Sequence, residues 1–120
     1  MYEYRAVIVR WKDGDTLVAH IDQGFHDWKH DQSLRLLGID APDKQPGKEA
    51  ARAYAAEKWP PGTKLTIRTV RDKRGSETTT FERWMAEAWD RDGAYGDSIS
   101  DLLIDAGHAK PWDGKGPHPS

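Results

Sequence analysis

The residues most able to do chemistry lie in two short stretches, DGDT at residues 13–16 and LRLLGIDAPD at residues 34–43. In the second stretch an apolar run leads directly into Asp40 and Asp43, and Arg35 stands near its start. An acid placed after a core strand either ends a surface turn or is held rigidly beside a cation or a phosphate. The sequence has no cysteine, which excludes thiolate metal sites and cysteine nucleophiles.

Three strands are predicted to precede and carry these acids. β-Branched and aromatic residues indicate a strand at 4–12, and the following Asp13-Gly14 pair is typical of a turn. A second strand is predicted at 15–22 and a third at 32–40. The polar segment 24–31 has no periodicity and is predicted to be a hairpin loop. The three strands together form an antiparallel meander.

The rest of the chain adds two helices and two strands, predicted as a helix at 47–59, strands at 64–70 and 81–89, and a helix at 98–106. This order predicts a mainly β fold with α-helices (α+β). We expect a five-stranded Greek-key barrel of the OB type with two or three packed helices. A chain of 120 residues is the size of one domain. We therefore assign residues 1–112 to a single domain and 113–120 to a flexible C-terminal tail.

Composition limits the possible partners and location. The net charge is −2, from 18 basic and 20 acidic residues, so any contact with nucleic acid must come from a local basic pocket. The mean hydropathy is −0.87, and no long apolar run or basic signal segment is visible. We expect an intracellular monomer that does not bind a membrane.

Asp15 and Asp40 are predicted to be neighbours although 25 positions separate them. In an antiparallel meander the start of the second strand and the end of the third lie at the same end of the sheet. Two carboxylates that close are costly unless a cation or a proton lies between them. Oxygen ligands without cysteine or a suitable histidine set favour a hard ion, calcium or magnesium. The alternative is that each acid only ends a turn.

The spacing of Arg35 and Asp40 requires a break in the third strand. Residues five positions apart in a regular strand lie on opposite faces, with about 16 Å between their α-carbons. Gly38 is the plausible position for a bulge or a sharp bend. Without such a bend Arg35 would be structural and would not join the acids.

The order of four motifs resembles the thermonuclease family, the staphylococcal nuclease-like domains, over the segment from Tyr4 to about Trp112. The motifs are DGDT at 13–16, RLLGIDAPD at 35–43, QPGKEA at 45–50 and FERWMAEAW at 81–89. The resemblance implies an OB-fold barrel that uses Ca²⁺ to hydrolyse phosphodiester bonds in DNA or RNA. The best-known members leave 3′-phosphates. We expect a single-stranded substrate, with Mg²⁺ as the alternative ion.

The resemblance also implies roles for the metal ligands and the phosphate-binding residues. Asp15 and Asp40 match the two metal-binding carboxylates, and Ala41 matches a position whose backbone carbonyl contacts the ion. Arg35 and Arg83 match the two arginines that hold the scissile phosphate. Their planar guanidinium groups offer paired donors where negative charge builds in the transition state.

Two further positions border the reaction centre in this resemblance. Asp43 matches a glutamate that is usually assigned as the general base for the attacking water. The side chain of aspartate is one methylene shorter, so a reduced rate is expected. Trp112 lies near the position of an aromatic residue that borders the nucleotide pocket, and we predict that it contacts substrate.

The rival prediction comes from a different class of protein. A non-catalytic OB module could bind single-stranded nucleic acid or a protein partner after losing its general base, and Asp43 is the best argument for it. The joint presence of Asp15, Asp40, Arg35 and Arg83 argues against it, because a pure binder does not need a costly carboxylate pair beside a phosphate site.

Overall fold

Five strands close into one β-barrel in the computed structural model of the chain, which describes residues 2–69, 84–91 and 96–112. In chain order the elements are β1 (Tyr2–Trp11), β2 (Thr16–Asp22), β3 (Trp28–Leu36), β4 (Ile39–Asp40), α1 (Gly47–Lys58), β5 (Lys64–Thr69), β6 (Trp84–Asp90), α2 (Ile99–Asp105) and β7 (Lys110–Pro111). The predicted fold class, an OB-type five-stranded barrel with packed helices, is confirmed.

The barrel has the strand order β1-β2-β3-β6-β5 and closes where β5 pairs with β1. All neighbours are antiparallel except β3 and β6, which run parallel and are connected by a long crossover that contains β4, α1 and β5. The two-residue strands β4 and β7 form a separate antiparallel pair, in which Ile39 lies opposite Pro111. This pair brings the chain after α2 to the end of β3.

Alternation along the strands fills the barrel interior. Leu34 and Leu36 are buried on either side of Arg35, and Leu65 and Ile67 alternate with exposed residues in β5. Large aromatic side chains, those of Trp11, Trp59 and Trp84, are also buried in this core. The buried Trp59, directly after α1, accepts a hydrogen bond from the Trp11 indole N–H at its carbonyl oxygen, at 2.9 Å.

Each helix begins and ends within one residue of its predicted bounds. Helix α1 buries Ala51 and Ala55, whose small side chains allow it to lie close to the barrel. Helix α2 starts after Ser98, whose hydroxyl oxygen accepts a hydrogen bond from the Asp101 backbone N–H. It stops before Gly107, which has a φ of +81°. No helix within the described ranges is long and apolar enough to cross a membrane.

The third strand differs from its prediction at both ends. It starts at Trp28, so the second half of the predicted 24–31 loop is strand and pairs with β2. The register of that pairing shifts between Ala19 and Ile21. This bulge allows β3 to stay paired with β2 although the start of β3 has no alternation of apolar and polar residues. At its other end the strand stops at Leu36. Gly38, with a φ of +83°, makes the predicted break before β4.

Some predictions fall on parts of the chain that the structure does not describe. These are the start of the strand predicted at 81–89, which includes Arg83, and the C-terminal tail at 113–120. They remain predictions.

Gly14 is required by close packing between the turn before β2 and helix α1. A Cβ atom at this position would lie 2.7 Å from the Ala51 Cβ and 2.9 Å from the Ala41 Cβ. We expect Gly14→Ala to lower the free energy of unfolding by about 1–3 kcal/mol, as measured by urea denaturation. Adding Ala51→Gly removes the shorter contact, so the double variant should recover part of that loss. A cost below about 0.5 kcal/mol for Gly14→Ala, typical of an unconstrained surface position, would contradict this packing.

Candidate functional site

One solvent-open cavity gathers most of the predicted site residues at the end of the barrel where β2 begins and β3 ends. Helix α1 borders it with its first turn. The cavity has a volume of about 250 Å³ and is lined by Asp13, Asp15, Thr16, Arg35, Asp40, Ala41, Pro42, Asp43 and Lys48. The sequence therefore predicted correctly that the acids of the two stretches come together.

The guanidinium group of Arg35 lies between the two buried acids. Its Nη1 atom is 2.9 Å from the Asp15 Oδ2 atom, and its Nη2 atom is 3.6 Å from the Asp40 Oδ1 atom. The same group donates to the carbonyl oxygens of Ile39, at 3.2 Å, and Leu36, at 3.4 Å. The turn at residues 37–38 makes this possible, because it directs the carbonyl groups on both sides of it toward Arg35.

Two hydrogen bonds hold the carboxylate of Asp15, and a third holds its backbone. The Ala41 backbone N–H donates to its Oδ2 atom at 2.9 Å, and the Thr16 hydroxyl donates to its Oδ1 atom at 3.1 Å. The Asp15 backbone N–H in turn donates to the Asp13 Oδ1 atom at 3.2 Å. A carboxylate held this way is preorganised to face a positive partner.

Burial changes the acidity of Asp15. It raises the pKa of this carboxyl group from 3.8 to about 6, and the neighbouring Asp13 carboxyl group adds to the rise. The Ala41 N–H and the charge of Arg35 act in the opposite direction without cancelling it. Negative charge on Asp15 is therefore held at a cost that a further cation would reduce.

The charges that line the cavity favour a cation. Four carboxylates, those of Asp13, Asp15, Asp40 and Asp43, face two positive side chains, Arg35 and Lys48. The lining therefore has a net charge of −2 when every group is ionised. A divalent cation would balance it, whereas a phosphate group alone would meet net repulsion.

The donor atoms match a hard cation in kind, because every candidate ligand is an oxygen. Among the described residues, no group of three or more His, Cys, Asp or Glu side chains is arranged to hold a metal ion. Asp15 and Asp40 would supply the side-chain ligands, and the Ala41 carbonyl with solvent would complete the shell. Since Asp15 Oδ2 already pairs with Arg35, a cation there must compete with the guanidinium group for this oxygen.

Asp43 and Trp112 border the acids on different sides. Asp43 is exposed on the wall of the cavity and is open to water. Trp112 is half-buried, and its ring centre lies 5.9 Å from the Cζ atom of Arg35. It lines a neighbouring cavity, of about 230 Å³, together with Arg35 and Met85. The structure thus brings together every predicted site residue that it describes, while Arg83 lies outside the described residues.

Besides Pro42, three polar residues of the cavity were not predicted from the sequence as part of the site. Asp13 and Thr16 flank Asp15 in the DGDT motif, and their polar side chains next to a candidate ligand were the available signal. Lys48 belongs to the QPGKEA motif, in the first turn of α1. Nothing in the local sequence indicates that this turn points toward the acids.

Comparison with known proteins adds no assignment. A scan against protein-family models finds none that matches the chain, and a search of curated proteins finds no match. The resemblance to the thermonuclease family therefore stays a prediction, and the roles of the residues must be argued from their geometry and charge.

The raised pKa of Asp15 predicts how stability depends on pH without divalent cations. Because the folded state holds the proton more tightly than the unfolded state, this group makes the protein less stable as pH rises from about 4 through about 6. Urea denaturation in chelator across pH 4–7.5 measures the effect. Asp15→Asn cannot titrate, so the difference between wild type and variant should fall across this range and then level off. A difference that stays constant with pH would contradict the raised pKa.

Proposed function

We propose that the protein is a metal-dependent phosphodiesterase that cleaves DNA or RNA, with Ca²⁺ as the preferred ion and Mg²⁺ as the alternative. The observation that carries this proposal is the pair of buried acids, Asp15 and Asp40, on either side of Arg35 in a cavity open to solvent. The pair supplies oxygen ligands, and the guanidinium group between them can bind a phosphate group.

A purely structural role explains this cluster less well. Moving two carboxylates and a guanidinium group out of water costs several kcal/mol per ion, and apolar side chains of similar size often stabilise a fold at least as well. Asp15, Asp40 and Arg35 are each at least 90% buried, yet they border solvent at the cavity. This arrangement fits a site that must keep charges fixed for a ligand.

The proposed reaction divides its tasks among residues of the cavity. A divalent cation bound there would act as a Lewis acid that stabilises charge on the phosphoryl oxygens. Asp15, Asp40 and the Ala41 carbonyl would hold it. Arg35 would donate to the scissile phosphate, where its paired N–H groups match two phosphate oxygens. Arg83 would supply a second guanidinium group, a role that rests on the resemblance alone.

Asp43 would orient or activate the attacking water. Its position on the exposed cavity wall supports this role, because the carboxylate can reach solvent next to the buried acids. Hydrolysis would give 3′-phosphate products, as the resemblance implies. The short side chain of aspartate leaves its carboxylate farther from the reacting water than a glutamate would, so we expect a slow enzyme.

The second candidate function is a non-catalytic OB module that binds single-stranded nucleic acid or a protein partner. One observation favours it: the guanidinium group of Arg35 is already occupied by Asp15, Asp40 and backbone carbonyls. In that case the ion pairs of Arg35 with Asp15 and Asp40 would only stabilise the end of the barrel. The two functions differ in one observable: only the enzyme cleaves a nucleic acid strand when a divalent cation is added.

The deciding experiment is degradation of single-stranded DNA by purified protein in calcium, in magnesium and in chelator. We expect cleavage that depends on the cation. Asp40→Asn keeps the shape of the side chain but removes its charge, so it should lower the rate at least as much as the loss of a second-shell partner, about 10- to 100-fold. Equal cleavage by wild type and Asp40→Asn would indicate a contaminant. Tight binding without cleavage would support the second candidate.

Asp43→Glu tests the role of the general base. Restoring the missing methylene should raise the rate of cleavage, by up to about 100-fold, because a displacement of about 1 Å can cost that much. Asp43→Asn should lower the rate. Asp105→Glu, which makes the same change at an exposed position on α2, is the matched control and should have no effect. A rate that is the same for all three side chains at position 43 would remove this residue from the mechanism.

A further inference from the structure

The hairpin that joins β2 and β3 presents two aromatic side chains to solvent. Phe25 is fully exposed and Trp28 is 38% exposed, and they are the exposed large hydrophobic residues found in the described part of the chain. Both belong to the segment that the sequence indicated only as a loop. Phe25 buries almost no surface within this chain, and neither aromatic side chain is part of the hydrophobic core.

The backbone of this hairpin tip is held by hydrogen bonds and is strained. The Gln23 N–H donates to the Asp27 carbonyl, and the Asp27 N–H donates to the Gly24 carbonyl, each at 2.8 Å. The Asp22 carboxylate accepts a further hydrogen bond from the Gly24 N–H. Phe25, at a φ of +53°, occupies a conformation that bulky residues rarely adopt. Strain that holds an aromatic ring in water points to a binding role.

The tip stands at one end of the hairpin whose other end carries the acid cluster. Trp28 pairs with Asp22 at the tip, and Arg35 pairs with Thr16 beside the cavity. Trp28 and Arg35 are seven positions apart in β3, which corresponds to about 23 Å at 3.3 Å per residue. A strand of nucleic acid that occupies the cavity can span this distance, because OB folds bind about 4–16 nucleotides.

Two lysines, one beside this hairpin and one within it, can contact phosphate groups. The Lys12 ammonium group donates to the Ser33 hydroxyl at 3.3 Å on the exposed side of β3. The Lys29 Nζ atom lies 5.9 Å from the ring centre of Trp84. Both lysines are exposed, and both are placed between the tip and the cavity.

The charges at the tip itself do not favour phosphate as its main contact. Asp27, Lys29 and Asp31 are exposed, so these three side chains together carry a net charge of −1. Negative charge next to Phe25 repels the backbone of a nucleic acid, whereas an uncharged flat ring can still stack on the side chain. Bases stack on aromatic side chains with little dependence on their sequence.

We propose that Phe25 and Trp28 form a stacking platform for the bases of single-stranded DNA or RNA, while Lys12 and Lys29 contact the phosphates between this platform and the Asp15–Asp40 cavity. The choice of nucleic acid as partner rests on the proposed function. The platform itself does not require catalysis, so it can be tested by binding alone.

The test is the fluorescence anisotropy of a labelled oligothymidine of about 16 nucleotides, with the full chain in chelator so that no cleavage occurs. Phe25→Ala should weaken binding by about fivefold or more, which is the effect of losing one stacked base. Phe25→Tyr keeps the flat ring and should bind like wild type. Phe25→Leu keeps apolar bulk without the ring and should bind like Phe25→Ala. An abasic oligomer of the same length should bind all of these variants equally.

Salt dependence separates stacking from charge. The ratio of wild-type to Phe25→Ala affinity should stay constant between about 50 and 200 mM salt, because stacking releases no counterions. Lys12→Ala or Lys29→Ala should instead lower the slope of log affinity against log salt by about 0.7, the value for one phosphate contact on a single strand. A Phe25→Ala effect that disappears at high salt would contradict stacking.

Two outcomes would overturn the proposal. One is equal oligothymidine affinity of wild type and Phe25→Ala. The other is a sedimentation experiment in which wild type is an oligomer and Phe25→Ala is a monomer. That result would make the tip an interface between copies of this chain. These results are distinct from a failure of the proposed function: cleavage without a Phe25 effect removes only the platform, and a Phe25 effect without cleavage removes only the enzyme.

Discussion

The ion pairs of Arg35 with Asp15 and Asp40 are the constraint on which the end of the barrel depends. A buried guanidinium group is tolerated only when its donors and its charge are satisfied. Here the chain must therefore bend sharply after β3, so that the Ile39 carbonyl and the Asp40 carboxylate return to the same arginine. Gly38 allows this bend because it has no Cβ, and β4 then pairs with β7 to hold the returning segment in place.

The other side of the cavity depends on the close approach of helix α1 to the turn before β2. The Asp15 carbonyl accepts the Leu36 N–H at 2.9 Å, which fixes the start of β2 against the end of β3. Gly14 and Ala51 have little or no side chain, so helix α1 can lie directly against this turn. Its first turn then places Lys48 on the cavity wall. Small residues outside the site thus decide which charged residues share it.

Local patterns predicted most of the fold and about half of the site. Alternation and turn signals indicated the barrel strands and both helices, and the meander indicated that Asp15 meets Asp40. The extension of β3 to Trp28 was missed because it depends on a bulge in the partner strand, which no local pattern shows. Lys48 and the ion pair of Arg35 with Asp15 were missed for a related reason. Both depend on contacts between elements that are far apart in sequence, and packing brings these elements together.

Arg35 cannot serve the acids and a substrate with the same donors. Its Nη1 atom pairs with Asp15 and its Nη2 atom donates to Ile39, so a phosphate group must compete with partners that are already in place. Neutralising the carboxylates weakens one side of this competition and makes the guanidinium group available to a phosphate group. In the proposed function, cation and substrate would therefore be linked through one arginine, and each would favour the binding of the other. The net negative charge of the cavity supports the same linkage, because it would repel a phosphate group that arrives without a cation.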